Sequence, residues 1–182
     1  MLPVIAFVGP SGVGKTTLIE RVIAELSARG LRVGVIKQAR EDFDVDQPGK
    51  DSYRLRKAGI EQLLVAAERQ SALIIEPPEP VKPEPVELLS LLDAESLDLV
   101  LIEGFRDQAL PRIALYRQGL GAVRPAESRP AESRPAESDP LLLAVASDVA
   151  LDGGVPCLDI GDPVEVANFI QDWASRLPAL EP

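Results

Sequence analysis

The residues from Gly9 to Thr17 read GPSGVGKTT and match the pattern G-x-x-x-x-G-K-[ST]. The apolar run Val4–Val8 comes directly before this stretch, and a segment that favours a helix follows it. Glycines allow the backbone to curl so that successive N–H groups converge on phosphate oxygens. The start of the helix adds the positive end of its dipole at the same place. Strand, loop and helix together predict a phosphate-binding loop, or Walker A motif, for a nucleoside triphosphate.

Two side chains of this loop have chemical tasks beyond those of the backbone. Lys15 supplies a mobile cation for the β- and γ-phosphates, which makes it a candidate catalytic residue. The hydroxyl of Thr16 can bind Mg²⁺. The residues that we predict to bind the nucleotide at this loop are Gly9, Ser11, Gly12, Val13, Gly14, Lys15, Thr16 and Thr17.

Composition limits the classes of protein to which the chain can belong. Its 182 residues suit one domain with a full hydrophobic core. The net charge of −10 argues against nucleic acid or an anionic membrane as the main partner. The chain has no histidine, the commonest general base near neutral pH, and Cys157 is its single cysteine. No apolar run reaches the roughly 18 residues of a membrane helix. We therefore expect a cytoplasmic protein.

The hydrophobic pattern predicts strands that alternate with helices. The predicted strands are Pro3–Val8, Leu31–Ile36, Leu63–Ala67, Ala72–Ile75, Leu97–Ile102, Ile113–Tyr116 and Leu141–Ala146. The predicted helices are Lys15–Arg29, Asp51–Ala58, Val86–Leu92 and a last helix that Asp162 caps. This alternation predicts an α/β fold of the phosphate-loop NTPase class, with a mainly parallel central sheet and helices on both faces. The third and fourth strands predict an additional hairpin or small antiparallel part. The ligand should lie at the carboxyl ends of the parallel strands.

Two segments interrupt the pattern within what we predict to be a single domain, residues 1–182. Residues 77–85 (PPEPVKPEP) predict a stiff linker, because proline can continue neither a helix nor a sheet. Residues 124–138 repeat RPAES three times and contain no apolar side chain larger than alanine. They predict a solvent-exposed, disordered loop over residues 118–139.

Carboxylates in two places are candidates for metal binding. Glu103 follows the apolar stretch LDLVLI, where an acid can hold a Mg²⁺-bound water or orient the attacking water. Glu103 is therefore a catalytic as well as a metal candidate. The acidic loop after the second strand offers Asp44, Asp46 and Asp51 as ligands of a metal or of its water. Each of these acids could instead be a solvated surface residue.

Several strings of the sequence resemble the MobB family, molybdopterin-guanine dinucleotide biosynthesis protein B. They are VGPSGVGKTTLIERVIAEL, GLRVGVIK, DFDVDQPGKDSYRLRKAG, LDLVLIEGF and PRIALYR, in this order along the chain. The resemblance covers residues 1–117 and the short stretch 146–148. The combination D-F-D-x-D-x-P-G-K-D-S-Y-R with E-G-F is far more specific than the phosphate loop alone.

The resemblance implies a homodimer that binds GTP with Mg²⁺ and hydrolyses it slowly. It also implies that the protein assists the guanylyltransferase that joins GMP to molybdopterin, which yields the guanine dinucleotide form of the molybdenum cofactor. It places Glu103 near the metal, and Ser147 and Asp148 near the base. One stretch departs from the family: histidines often follow the lysine that ends the second strand, whereas residues 37–41 read KQARE here.

The residues alone leave other functions open. A metal-delivery GTPase of related fold would use Cys and His ligands, which a chain with one cysteine and no histidine does not offer. A small-molecule kinase would need lid arginines, for which Arg54, Arg56 and Lys57 are candidates. A nucleotide-gated adaptor would bind the nucleotide without needing its hydrolysis. No N-K-x-D guanine motif is present, so the motifs do not decide between GTP and ATP.

Overall fold

Eight strands and four helices follow one another along the chain in the computed structural model, which describes residues 2–39, 43–44, 46–120, 139–151 and 154–178. The strands are β1 (Val4–Val8), β2 (Val33–Lys37), β3 (Gln62–Ala66), β4 (Ser71–Ile75), β5 (Leu99–Glu103), β6 (Arg112–Tyr116), β7 (Leu142–Ser147) and β8 (Cys157–Asp159). The helices are α1 (Lys15–Ala28), α2 (Asp51–Lys57), α3 (Pro85–Leu89) and α4 (Pro163–Ser175). Contacts group the chain into two units: Met1–Gln38 with Pro85–Pro182, and Ala39–Glu84.

Six parallel strands form the central sheet of the first unit, in the order β2-β5-β1-β6-β7-β8. Because all six run in the same direction, their carboxyl ends meet at one edge of the sheet. Strands β1 and β5 are almost wholly buried, as expected for parallel strands that helices cover on both faces. The predicted α/β phosphate-loop fold with its mainly parallel sheet is confirmed.

Apolar side chains pack on both faces of this sheet. On one face, the apolar stripes of α1 and α4 meet the strands through residues such as Leu18, Val22 and Ile170, all buried. On the other face, Val100 and Ile102 are buried under a second cluster that includes side chains of α3. The stripe predicted for the last helix belongs to the core, and Trp173 packs against it. The sheet is thus a rigid support for the residues at its carboxyl edge.

The second unit contains α2 and a hairpin of β3 and β4. These two strands pair antiparallel, with Leu64 opposite Leu73 and Gln62 opposite Ile75. The predicted hairpin is therefore confirmed. Arg56 of α2 is buried in this unit.

The structure differs from the sequence prediction at several boundaries. Helix α3 begins at Pro85, which is buried, so this residue starts a helix instead of ending the linker. Residues 77–84 contain neither helix nor strand. Strand β8 was not predicted, because three residues with two exposed side chains give no clear period. A short 3-10 helix, Ala94–Ser96, was also missed.

The repeats at 124–138 lie outside the described residues, and so the disordered loop stays a prediction.

The described residues on either side of that segment are fixed to the sheet. Gln118 donates its backbone N–H to Oδ1 of Asp148, over 2.9 Å. On the other side, Asp139 pairs with Arg112 and accepts a hydrogen bond from the backbone of Leu141 at 3.2 Å. Both ends are thereby held at neighbouring strands, β6 and β7.

Arg32 and Asp98 join the segments that lead into β2 and β5. Arg32 donates from Nε at 3.1 Å and from Nη2 at 3.0 Å, and its backbone N–H adds a third bond of 2.7 Å. These bonds, the side-chain ones first, lower the pKa of Asp98 from 3.8 to about 2. The Asp98 carboxylate therefore takes up a proton more readily in the unfolded chain than in the folded chain.

We expect the Asp98→Asn variant to lose part of the pH dependence of stability between pH 4 and pH 2. In the parent protein, stability from this carboxylate is present above pH 3.8 and is lost as the pH falls through about 2. Thermal unfolding midpoints measured from pH 5 to pH 2.5 should thus fall less steeply in the variant. The exposed Asp172→Asn variant is the control, and equal slopes for Asp98→Asn and the parent contradict the prediction.

Candidate nucleotide-binding site

The carboxyl edge of the sheet brings together residues that are far apart in the sequence. The phosphate loop follows β1, Lys37 and Glu103 end β2 and β5, and Arg117 follows β6. The strand register places Glu103 directly beside Lys37 on one side and Phe7 on the other. Charged groups of both signs therefore surround the loop within the first unit.

The loop has the curled backbone that its glycines predict. Gly14 has a φ of 102° and caps α1, whose first hydrogen bond runs from the N–H of Leu18 to the carbonyl of Gly14 at 2.9 Å. At Gly9 the obstacle is space, because a Cβ atom there would lie 3.0 Å from the carbonyl oxygen of Leu115. Glycine is thus required at one end by conformation and at the other by close packing on β6.

Lys15 is held against its own loop. Its Nζ donates to the carbonyl oxygens of Gly9 at 2.9 Å and Pro10 at 2.8 Å. Burial lowers the pKa of Lys15, and nearby Lys37 lowers it further, while Glu103 acts in the opposite direction. Both bonding partners are neutral carbonyls, so an anionic phosphate would be a stronger partner for this ammonium.

Thr16, Glu103 and Lys37 form a connected chain of polar contacts. The hydroxyl of Thr16 donates to Oε1 of Glu103 over 2.7 Å, and Nζ of Lys37 lies 3.1 Å from Oε2. The Glu103 side chain is only 13% exposed. Hydroxyl and carboxylate oxygens are the ligands that Mg²⁺ prefers, so Thr16 and Glu103 fit this metal.

The turn after β5 is held by Gln38. Oε1 of Gln38 accepts the N–H of Phe105 at 2.8 Å, and Phe105 has a positive φ of 56°. A Cβ atom on Gly104, whose φ is 102°, would lie 2.9 Å from Cβ of Gln38. The E-G-F stretch therefore needs its glycine where the backbone turns against the end of β2.

Ser147 and Asp148 lie at the end of β7. Ser147 is buried, and its hydroxyl accepts the N–H of Val149 at 3.1 Å, so it shapes the turn. Asp148 is exposed and accepts the N–H of Gln118. Of the two predicted base contacts, Asp148 is the side chain that a ligand can reach, and both roles stay predictions.

The predicted acids of the second unit have other partners. Nη1 of Arg56 lies 2.8 Å from Asp44 and 3.5 Å from Asp46, while Glu76 binds the same guanidinium. Asp51 is almost fully exposed and pairs with Arg54 at 3.5 Å. Among the described residues, no three His, Cys, Asp or Glu side chains form a group that could hold a metal ion. The structure thus gathers Asp44 and Asp46 around an arginine and leaves Asp51 apart.

Sequence reasoning missed three residues of the site: Lys37, Gln38 and Arg117. Nε of Arg117 donates to the carbonyl oxygen of Val13 over 3.0 Å. The signal that could have found all three is their position, because each ends or directly follows a strand whose carboxyl end lies at the ligand edge.

Within the part of the chain that the structure describes, no helix is long and apolar enough to cross a membrane.

This chain is similar in sequence and in structure to several known proteins. The sequence model of the family described as molybdopterin guanine dinucleotide synthesis protein B matches residues 4–148. The molybdopterin-guanine dinucleotide biosynthesis adapter protein of Escherichia coli K12 is 43% identical over 176 residues, which cover 97% of this chain and 95% of that protein. The adapter protein of the same name from Haemophilus influenzae is 38% identical over 172 residues, covering 94% and 89% of the two chains.

Solved structures agree with this result. The crystal structure of a molybdopterin-guanine biosynthesis protein B superposes with a TM-score of 0.66 at 27% identity, covering 95% of this chain and 99% of that one. A Bacillus subtilis MobB structure has a TM-score of 0.66 at 22% identity, a likeness that concerns the fold alone. The family match spans most of the chain and includes the phosphate loop, Glu103 and Asp148. This chain therefore belongs to the family of molybdopterin guanine dinucleotide synthesis protein B, whose fold is that of a phosphate-loop NTPase.

Proposed function

We propose that this chain binds GTP with Mg²⁺ at its phosphate loop and serves as an adapter for the guanylyltransferase that joins GMP to molybdopterin. The observation that carries the nucleotide part is the meeting of Lys15, Thr16 and Glu103 at the loop that follows β1. Membership of the family and the adapter proteins similar to this chain support the biosynthetic part. The absence of histidine leaves any pterin contact to other side chains of this protein.

The phosphates would be held by the loop backbone and by Lys15. Bound Mg²⁺ would neutralise phosphate charge, with Thr16 and Glu103 as the residues that hold it or its waters. In the structure, the Thr16 hydroxyl donates a hydrogen bond to Glu103, so the lone pairs of the Thr16 oxygen would remain available to a cation. The lowered pKa of Lys15 comes mainly from burial, which disfavours its charged form, and a nearby phosphate anion would favour that form.

We propose slow hydrolysis, with Glu103 as the residue that orients water. Both oxygens of this carboxylate are already engaged, one by Thr16 and the other by Lys37. To accept a hydrogen bond from an attacking water, Glu103 would have to share an oxygen with Thr16 or Lys37 or give up one of these partners. Slow turnover suits an adapter in which bound nucleotide matters more than its consumption.

The kinase alternative loses one of its candidate lid residues. Arg56 is buried and bound by Glu76 and Asp44 within the second unit. The ammonium of Lys57 lies over the ring of Tyr53, 5.3 Å from its centroid. Arg54 and Lys57 are both exposed, and 76% of the Arg54 side chain is accessible.

Asp148 is the residue that we propose for selecting guanine. Guanine presents two N–H donors on its Watson–Crick edge, and a carboxylate accepts from both. The Asp148→Asn variant should weaken GTP binding about tenfold or more, because the NH₂ group of the amide would then point at an N–H of guanine and neither can accept a hydrogen bond. Xanthosine triphosphate carries a carbonyl in place of the guanine amino group. It should therefore bind to the variant more tightly than to the parent protein.

Calorimetric titration of both proteins with GTP, ATP and xanthosine triphosphate tests this assignment and the proposed function together. Stronger binding of GTP than of ATP by the parent protein supports the function. An Asp148→Asn variant with unchanged nucleotide preference removes Asp148 from the base site. Parent protein that binds no nucleoside triphosphate overturns the proposal as a whole.

We propose a homodimer that involves the hairpin of the second unit. Leu64 is 66% exposed and its opposite neighbour Leu73 is 49% exposed, with Ile75 on the same face. Both strands of a two-stranded sheet are edges, and exposed apolar edges favour association with a further copy.

We also propose a cytoplasmic location, where an exposed free thiol such as Cys157 stays reduced.

A Leu64→Lys, Leu73→Lys double variant should convert the dimer into a monomer. Two charges directly opposite each other would be buried in the interface without partners, which is strongly unfavourable. Sedimentation velocity over a range of concentrations gives the mass of the species present. The Val86→Lys variant is the control, because Val86 is 75% exposed and lies on α3 in the other unit. A double variant that remains dimeric shows that the hairpin is not the interface.

A further inference from the structure

Arg117 is a basic residue that contacts the backbone of the phosphate loop. It follows β6, the strand next to β1, and is half-buried. Its Nε donates to the carbonyl oxygen of Val13 over 3.0 Å. Its Nη2 would lie 3.7 Å from a Cβ atom built on Gly14. The guanidinium therefore covers the peptide that joins Val13 to Gly14.

Because a peptide is planar, this contact also restricts the direction of the Gly14 N–H, which matters for phosphate binding. A trans peptide is planar, and its C=O and N–H point in opposite directions. When Arg117 holds the carbonyl of Val13, the N–H of Gly14 is directed to the side of the peptide away from the guanidinium. Backbone N–H groups held in a common direction are the donors that bind phosphate in such a loop.

Glycine at position 14 makes this support necessary. Gly14 has a φ of 102° and no Cβ atom, so its own side chain restricts neither flanking peptide. A peptide beside such a residue can rotate and turn its N–H away unless another group holds it. The side chain of Val13, which is fully buried, fixes the other end of this peptide.

We propose that Arg117 is a positioning residue that orients the Val13–Gly14 peptide for phosphate binding. This inference rests on the proposed function, because it concerns the same nucleotide site. An arginine suits the task, since its planar guanidinium presents Nε–H in a fixed direction and keeps its charge at any physiological pH. Arg54 and Arg106 pair instead with Asp51 and Asp107, each at 3.5 Å.

Two variants separate the hydrogen bond from the charge. Arg117→Met keeps the length of the side chain but removes both, and we expect about tenfold weaker GTP binding. Arg117→Lys keeps the charge without a planar donor, and we expect an affinity between those of Arg117→Met and the parent protein. Arg21→Met is the control for loss of one charge, because Arg21 is exposed on α1. Parent-like affinity of Arg117→Met overturns the proposal, and parent-like affinity of Arg117→Lys reduces the role to charge alone.

A spectroscopic readout keeps this test independent of the proposed function. The carbonyl ¹³C resonance of Val13 reports its hydrogen bond in the protein without nucleotide, and it should move upfield in Arg117→Met. On addition of GTP, the amide resonance of Gly14 should shift in the parent protein and shift much less in Arg117→Met. If the parent protein binds no GTP, the proposed function fails while the Val13 carbonyl still reports the contact. If GTP binds and the Gly14 shift is the same in both proteins, the positioning role fails.

Discussion

Replacing Lys15 with alanine should remove most of the affinity for nucleoside triphosphate while the protein stays folded. The ammonium lies at the loop with two neutral carbonyl partners, and a phosphate would give it charge-assisted hydrogen bonds. Loss of such a bond costs roughly 1.5–3 kcal/mol, or between about 10- and 150-fold in the dissociation constant. Calorimetry with GTP and Mg²⁺ measures the change directly.

Stability without nucleotide should change little in this Lys15→Ala variant. The protein loses two hydrogen bonds, but it also loses a partly buried cation whose pKa is lowered by burial and by Lys37. These effects oppose each other, so the melting temperature should stay within a few degrees of the parent value. The exposed Lys82→Ala variant is the control for loss of one positive charge. Near-unchanged GTP affinity in Lys15→Ala would refute the assignment of the loop.

Replacing Glu103 with glutamine should slow GTP hydrolysis much more than it weakens GTP binding. The amide keeps the size and one oxygen that can accept from Thr16, but it loses the negative charge that steadies water and cation at the site. Removal of a positioned acid–base group lowers turnover on the order of 10²-fold. Affinity should change less, because the main phosphate contacts come from the loop backbone and Lys15.

Single-turnover hydrolysis with excess protein separates the two effects, since binding is then saturated. Asp107→Asn is the control, because Asp107 is a largely exposed acid four residues away. A Lys37→Met variant removes the ion pair but leaves the carboxylate, so it shows whether loss of that pair alone slows turnover. Equal rates for Glu103→Gln and the parent protein would reduce Glu103 to a structural acid and favour an adaptor that does not need hydrolysis.

Local pattern was enough to predict the fold class and the phosphate loop. The loop is contiguous in sequence, and the strands before it and at Leu99–Glu103 are apolar because both faces of the sheet are covered. Asp162 was predicted to cap the last helix, and its carboxylate accepts the N–H groups of Val164 and Glu165. Such features depend on neighbours within a few residues.

Strand order could not be predicted in this way, and the contacts that depend on it were missed. Strand β5 lies between β2 and β1 although it follows them by more than sixty residues, which is why Lys37 meets Glu103. Likewise, Arg117 reaches Val13 only because β6 is the other neighbour of β1. The ion cluster around Arg56 also joins residues on a loop, a helix and the end of a strand, which local pattern does not bring together.

The tethering of both ends of segment 118–139 has an evolutionary consequence. Gln118 is tied to Asp148, and Asp139 is tied to Arg112, so the two ends stay at β6 and β7 whatever lies between them. The entropic cost of closing a loop rises only with the logarithm of its length, so one further five-residue repeat adds about 0.2 kcal/mol. Duplication or loss of an RPAES unit is thus close to selectively neutral. Lineages of this protein should differ in repeat number while their nucleotide affinity stays the same.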